Sequence, residues 1–395
     1  MPGGLITIAE GRRRVLAAVA ARPAPQDVPV DDAGGRVLAR DVTQAGDVPP
    51  FASSAMDGFA AAPGPAGRTL RVAGESRAGR PAERPPGAGE AVRISTGAVL
   101  PPGELGVIPV EQVTERDGVV ETARAIAPGQ HVRGAGEDVE AGVTVLGAGT
   151  VLGPVELGVA VGAGRATLPC APRPRVAVLA TGDELVGPGA ELGPGQIHNT
   201  NEPTLAALAA EQGAEVVLRR AVPDDSAATR AALGEALDGA DLVLVSGGVS
   251  VGPHDHVKPA LDALGVQERF WRVALQPGKP TWFGTRGPVL VLGLPGNPVS
   301  SVVCFHLFAR TALRALQGAA PLPAREPARL DSPVARSPAR EQAVRVAVTA
   351  TAGGLVARST GAQGSHRLTS LLGADALAFV PAGEGDAVAV ELERR

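Results

Sequence analysis

Apolar and polar positions change their rhythm along the chain, and each change predicts a different kind of element. Near the start, Thr7-Ile-Ala-Glu10 has the form of a capping box, and Val15, Leu16 and Val19 carry a helical stripe that Pro23 should stop. From 43 to about 141, short β-like runs (TLRVAG, EAVRIST, GVIPVEQV, GVVETARAI) are separated by Gly/Pro turns, which predicts a β-rich unit. The stretches on either side, DDAGGRVLARDV and EAGVTVLGAGTVLGPVELGVAVGAG, resemble each other. The β-rich unit (43–141) therefore reads as an insertion between two halves, 1–42 and 142–172, of another domain.

From 173 the pattern alternates: RVAVLA strand, PTLAALAAEQG helix, AEVVLRR strand, DSAATRAALGEALDG helix, DLVLVSGG strand, HVKPALDALG helix, PVLVLGLPG strand, VSSVVCFHLFARTALRAL helix. Such alternation with short connections predicts a doubly wound α/β domain, a parallel sheet covered on both faces, over 173–318. AAPLPAREPARLDSPVARSP reads as a Pro-rich linker, and QAVRVAVTAT, GLVARST, ALAFVPAG and DAVAVELER give a small terminal β unit, 319–395. The predicted whole is multidomain α/β.

Composition narrows the classes. A chain of 395 residues, 44% hydrophobic, exceeds one ordinary core and should form two to four packed units. Its 37 Lys plus Arg against 41 Asp plus Glu leave a net charge of −4, which lacks the basic excess of a nucleic-acid binder. Cys170 and Cys304 lack the spacing of a metal site or redox pair and suit buried thiols in a reducing compartment. The start has no signal-peptide order and no run matches a membrane span, so no membrane partner is expected and the cytoplasm is the expected location.

Candidate chemistry follows from the parallel sheet, whose ligands sit along the carboxyl edge of the strands. That edge should gather Thr181-Gly-Asp-Glu-Leu185, Pro223-Asp224-Asp225, the loop SGGVSVGPHDHVK (246–258) and Leu294-Pro-Gly-Asn-Pro298. Gly247 and Gly248 would let backbone N–H groups approach a phosphate; alternatively they serve only the turn. Crowded acids on one rim repel unless a divalent cation or a shared proton settles them, and beside phosphates Mg²⁺ fits; the alternative for Asp224, Asp225 or Asp255 is helix capping, and for Glu184 a solvated loop acid. His254 and His256 lack the spacing of a helical zinc pair and read as solvent-facing. In FWRVALQPGKPTWFG (270–284), Arg272 and Lys279 flank a Pro-Gly turn that either holds an oxyanion or is an exposed basic turn.

Taken in order, SSAMDGFA (53–60), RISTGAVLPPG (93–103), VRGAGEDVEAG (132–142), TGDEL (181–185), GQIHNTN (195–201), SGGVSVGPHDHVK, QPGKP (276–280), GLPGNPVS (293–300) and GAQGSH (361–366) resemble the molybdopterin molybdenumtransferase family, which includes the C-terminal domain of gephyrin. The resemblance covers nearly the whole chain. It implies a homodimer of four-domain subunits: a discontinuous linking domain, a protruding β-rich domain, the doubly wound molybdopterin-binding domain and a C-terminal β-barrel. It also implies the reaction, Mg²⁺-assisted hydrolysis of adenylylated molybdopterin with release of AMP and insertion of molybdate, in a cleft between one subunit's pterin-binding domain and the other's protruding domain. Molybdopterin adenylyltransferase and recipient molybdoenzymes become possible partners.

Carried over by position, Asp57, Thr96, Arg133 and Asp138 come from the protruding domain. Glu184, Asp224 and Asp255 come from the sheet rim as the metal-holding acids, and the five acids Asp57, Asp138, Glu184, Asp224 and Asp255 form the catalytic set with Thr96. Ser250 resembles a contact to the pterin phosphate or nucleotide. Lys279, Ser300, Arg345 and Ser365 resemble the oxyanion set for molybdate, while Pro295, Asn297 and Pro298 form the corner that presents Ser300. The chain departs from the family pattern at Gln276, where a Lys is usual, at Arg272, where Lys is common, and at Phe59, where Tyr is common. Two other readings compete: a molybdopterin adenylyltransferase, whose relatives carry Gly-Gly-Thr-Gly where this chain has Gly247-Gly-Val-Ser250, and a non-catalytic dimeric scaffold, which needs no crowded acids.

Overall fold

The first helix, Ile8–Ala18, starts as the sequence predicts, with Thr7 Oγ1 accepting from Glu10 N–H at 3.1 Å. The reciprocal half of the capping box is missing, because the Glu10 carboxylate takes hydrogen bonds from Arg13 and Arg14 instead. The computed structural model describes residues 4–20, 24–249 and 255–394, so Pro23, Ser250 and His254 lie outside the described residues. The buried face of this helix, Ile8, Gly11, Arg12 and Val15, packs on the long helix Pro298–Gln317. Gly11 is needed there, since a Cβ would stand 2.9 Å from Phe308 Cε1.

Pro298–Gln317 is long and apolar enough to cross a membrane by composition, but 83% of its apolar window is buried in the protein. It contains a π turn, Phe305–Ala309. The Leu307 carbonyl there accepts from Arg12 Nε at 3.0 Å and Thr311 Oγ1 at 2.9 Å, side-chain donors that compensate for disturbed ladder geometry. The same Arg12 makes two 2.7 Å bonds to Glu393, at the end of the last strand.

The segment between 43 and 141 forms a six-stranded sheet in the order Gly106–Pro109, Gly58–Ala61, Glu90–Ile94, Thr69–Ser76, Val119–Thr122, Val113–Arg116. Alternation along its strands fills two cores: Phe59 and Ala61 join Leu70, Ile108 and Val120, while Ala60 joins Ile94 and Val107 on the other face. Outside it, Val42–Thr43 pairs with Thr144–Leu146 and Gln26–Pro29 with Thr167–Cys170, and one apolar cluster unites Val28, Leu38 and Val42 with Leu152, Ala160 and Leu168.

The α/β sheet runs Glu215–Val222, Arg175–Thr181, Leu242–Ser246, Val289–Leu294, Trp282–Arg286, Gln267–Trp271. The first four pair in parallel, as the alternating pattern predicts; beyond them Trp282–Arg286 pairs antiparallel with Val289–Leu294, and Gln267–Trp271 antiparallel with Trp282–Arg286. The Pro-Gly turn expected between Arg272 and Lys279 lies between these two strands, and the strands themselves, which the sequence pattern does not announce, are formed by tertiary pairing along the edge of Val289–Leu294. Apolar side chains cover both faces, Val178 and Leu244 on one, Leu179 and Val245 on the other.

The C-terminal strands close into a five-stranded barrel: Glu341–Thr351, Gly354–Ser359, Glu326–Ala335, Asp386–Arg394 and Ala376–Val380, which pairs back with Glu341–Thr351. Glu326–Ala335 lies inside the stretch expected to be a linker. Its prolines fooled the pattern: Pro327 and Pro333 are accommodated in a strand whose register with Asp386–Arg394 is broken between Arg329 and Val334. Leu275–Gln276 pairs with Glu341–Gln342 and ties the QPGKP turn to the barrel.

Candidate active site

Each parallel strand ends in a turn that glycine or a short polar side chain makes possible. Gly247 and Gly248 have φ of +92° and +63°, and a Cβ on Gly248 would lie 2.4 Å from Val257 Cγ2. Only glycine fits this left-handed, crowded turn. At the neighbouring strand end, Asp183 Oδ1 accepts from Asp224 N–H at 2.9 Å, which fixes the two acidic loops to each other. Asp225 is a helix cap, accepting from Ala228 N–H at 2.7 Å, one of the two roles its position allowed.

A cavity of about 650 Å³ opens along this edge. Its walls include Glu184, Asn201, Ser246, Asn297 and, from the barrel side, His366 and Leu368. Asn201, the first residue of the helix Asn201–Glu211, staples two strand ends together by donating to Ser246 Oγ at 2.8 Å and to the Gly296 carbonyl at 2.7 Å. Asn297 donates to Ser365 Oγ at 2.9 Å, and Val299 N–H to the Ser365 carbonyl at 3.0 Å, so a barrel loop is bonded to the start of Pro298–Gln317. Pro295, Asn297 and Pro298 line the cavity together, and Ser300, 3% exposed, sits in the first helical turn behind them.

Asn199, Asn201, Ser246 and His366 also line the cavity, and residue type and spacing give them no role, although three of them lie in the motifs GQIHNTN and GAQGSH. An Asn placed at a helix start opposite two strand ends is the signal that could have found Asn201.

The remaining expected residues surround this cavity or lie apart from it. Lys279 is exposed on the turn anchored to the barrel. Arg345 is 1% exposed; it donates from Nε to Ser370 Oγ at 3.2 Å and from Nη2 to the Gly364 carbonyl at 3.4 Å, directly under the Ser365 loop. Burial lowers its pKa to about 10, which leaves it cationic at neutral pH. Arg272 adopts φ of +70°, strained for a non-glycine residue, with its guanidinium 4.0 Å over the Trp271 ring; Lys258 Nζ lies 3.5 Å from the same ring. Burial lowers the Lys258 pKa against the charge of Asp255, whose carboxylate oxygens are shielded from solvent.

Asp57, Thr96, Arg133 and Asp138 occupy the inserted β-rich unit. Asp57 Oδ1 accepts from Thr96 N–H at 2.7 Å and from Thr96 Oγ1 at 3.1 Å. Arg133 and Asp138 line a different cavity, about 570 Å³, with Val48, Pro49, Phe51, Ser53, Gly97 and Glu137. No residue of that unit lines the rim cavity. Among the described residues no three His, Cys, Asp or Glu gather as a metal cage, so Glu184, Asp224 and Asp255 do not enclose a cation by themselves. Both cysteines are buried and free; burial pushes the Cys304 thiol up to about 12, against a hydrogen bond with Thr281, so it is no nucleophile.

Known proteins share this layout. Family models match at residues 6–164 (MoeA N-terminal region, domain I and II), 177–315 (probable molybdopterin binding domain) and 327–392 (MoeA C-terminal region, domain IV). Molybdopterin molybdenumtransferase 2 of Mycobacterium tuberculosis H37Rv is 38% identical over 93% of this chain and 94% of its own length. The molybdopterin molybdenumtransferase of Haemophilus influenzae is 39% identical over 80% and 78%. Among solved structures, the molybdopterin biosynthesis MoeA protein of Pyrococcus horikoshii OT3 superposes with a TM-score of 0.83 at 28% identity, covering 98% of this chain and all of that one.

Proposed function

The chain belongs to the molybdopterin molybdenumtransferase (MoeA) family, and from that premise we propose which of its residues insert molybdate into adenylylated molybdopterin and release AMP. The observation that carries the assignment is the rim cavity, where an acid, three Asn side chains and the barrel loop meet at the carboxyl edge of the parallel strands. Asn201 and Ser246 hold its floor rigid, and the glycine turn offers backbone N–H groups to the pterin phosphate.

Hydrolysis joins a water oxygen to one phosphorus of the anhydride and breaks the bridging P–O bond. Glu184, exposed on the cavity wall, orients that water and accepts its proton. The described residues build no cation cage by themselves, but Mg²⁺ arriving with phosphates needs only one or two carboxylates. Glu184 and Asp224 are the pair we assign to it, and bound there it would neutralise charge on the departing phosphate. Asp255, shielded and facing Lys258, we assign to balancing that cation rather than to the metal.

For molybdate we assign Lys279, Ser300 and Ser365 as direct donors, with the buried Arg345 cation behind the Ser365 loop. The second half of the crevice is assigned to the other chain of a homodimer: Asp57, Thr96, Arg133 and Asp138 present exposed polar groups on a unit that does not reach its own rim. The two free thiols agree with a cytoplasmic setting.

The test is AMP release from adenylylated molybdopterin, with and without molybdate and Mg²⁺. Wild-type protein should release AMP and form the molybdenum cofactor, and Glu184→Gln should lower kcat by about 100-fold or more, the range for losing a positioned base. Full activity in Glu184→Gln would remove that residue from the mechanism.

A further inference from the structure

The chain is poor in aromatic residues, with seven Phe, two Trp and no Tyr. All but one are buried or half-buried; Phe51 alone is exposed, at 40%. It does not stand on a loose loop. The Val48 carbonyl accepts from Asp138 N–H at 3.0 Å, the Pro49 carbonyl from Gly136 N–H at 2.9 Å, and the Ala52 carbonyl from Leu100 N–H at 2.8 Å, so the backbone is pinned on both sides of the ring. The next residue, Ser53, pairs with Arg133 across a short antiparallel ladder. A rigidly mounted aromatic ring left facing water is a preorganised binding surface, because little entropy remains to be lost when a partner covers it.

Phe51 lines the 570 Å³ cavity together with Arg133, whose guanidinium has no hydrogen bond or ion pair among the described residues. An apolar flat face and an unpaired cation in one concavity suit a ligand that joins a planar base to a phosphate. Stacking on an aromatic ring holds the base, and the guanidinium donates hydrogen bonds to the phosphate oxygens.

We propose that Phe51 and Arg133 form the holder for the adenylyl group, with the purine on the Phe51 ring and its phosphate toward Arg133. This rests on adenylylated molybdopterin being the substrate. It adds a base-binding residue that neither the sequence motifs nor the rim cavity supply, and it gives the inserted β-rich unit a binding role alongside its acids.

The experiment uses the full chain and AMP as the probe, by calorimetry, beside steady-state AMP release from adenylylated molybdopterin. Phe51→Ala should weaken AMP binding and raise KM by about tenfold, within the range that base stacking supplies, while kcat changes little. Phe51→Leu, apolar but without a π face, should lose nearly as much, and Phe51→Trp should bind at least as well as wild type. Unchanged AMP affinity in Phe51→Ala, or wild-type affinity in Phe51→Leu, overturns the proposal. So does a fall in the dimer fraction of Phe51→Ala by sedimentation, which would make the ring a subunit contact. If wild-type protein does not process adenylylated molybdopterin, the transferase assignment fails, and AMP calorimetry on the same variants still decides the pocket.

Discussion

Gly248 shows how far a single residue can be read. Its place after an apolar strand marks it as a turn glycine, but whether the glycine is obligatory depends on φ and on what a Cβ would meet. With φ of +63° and Val257 Cγ2 at 2.4 Å from that Cβ, Gly248→Ala should destabilise the fold by about 2 kcal/mol or more, measurable by urea unfolding. An unchanged midpoint would show that the loop relaxes freely. Asp225 and Glu184 make the opposite point. Both were acids on a predicted rim with two readings each, and coordinates separate them: one carboxylate caps a helix and the other faces a cavity. Sequence spacing places a residue at a strand end; it does not say where the side chain points.

At the scale of elements, the buried ion pair between Arg12 and Glu393 links the first helix, the π turn of Pro298–Gln317 and the final barrel strand. Arg325 adds a further bond to Glu393 at 2.9 Å. Burial pushes the Glu393 carboxyl up, and the hydrogen bonds and charges of Arg12 and Arg325 outweigh it, so its pKa lies below the ordinary carboxylate value. A lowered carboxyl pKa contributes stability above the unfolded value and loses it as pH falls through the folded one. Thermal stability should therefore drop in acid below the usual Glu range. Glu393→Gln should flatten part of that drop while costing about 3 to 5 kcal/mol at neutral pH, because Arg12 is left buried without its charge partner. Equal acid sensitivity in the variant and wild type would assign the effect to other carboxylates. None of this pairing is visible in the sequence, where the two residues stand at opposite ends of the chain. The strands Glu326–Ala335 and Gln267–Trp271 were likewise hidden, one by prolines and one by interleaved charge, since both are made strands by their neighbours.

For the whole molecule, the proposed crevice needs two chains, and mixing variants tests it. Asp57→Asn removes an acid from the inserted unit and Glu184→Gln one from the rim. If each site combines two subunits, unfolding and refolding the two inactive proteins together should restore about a quarter of wild-type activity, from the one intact site in each mixed dimer. If each chain carries its own complete site, the mixture stays inactive. The separation of the two cavities within one chain is what makes the first outcome the expected one.

The sequence by itself determined the order of helices and strands in the α/β region, the alternating strands of the inserted unit and the ordered motifs of the family, because these depend on local periodicity and on residue types at fixed spacing. Tertiary structure alone decided the strand order of the barrel, the antiparallel edge pairings, the Asn201 staple, the partner of Glu393 and the exposure of Phe51. Those depend on contacts between residues far apart in the chain, and their free energy comes from what a side chain meets after folding, which spacing along the chain does not encode.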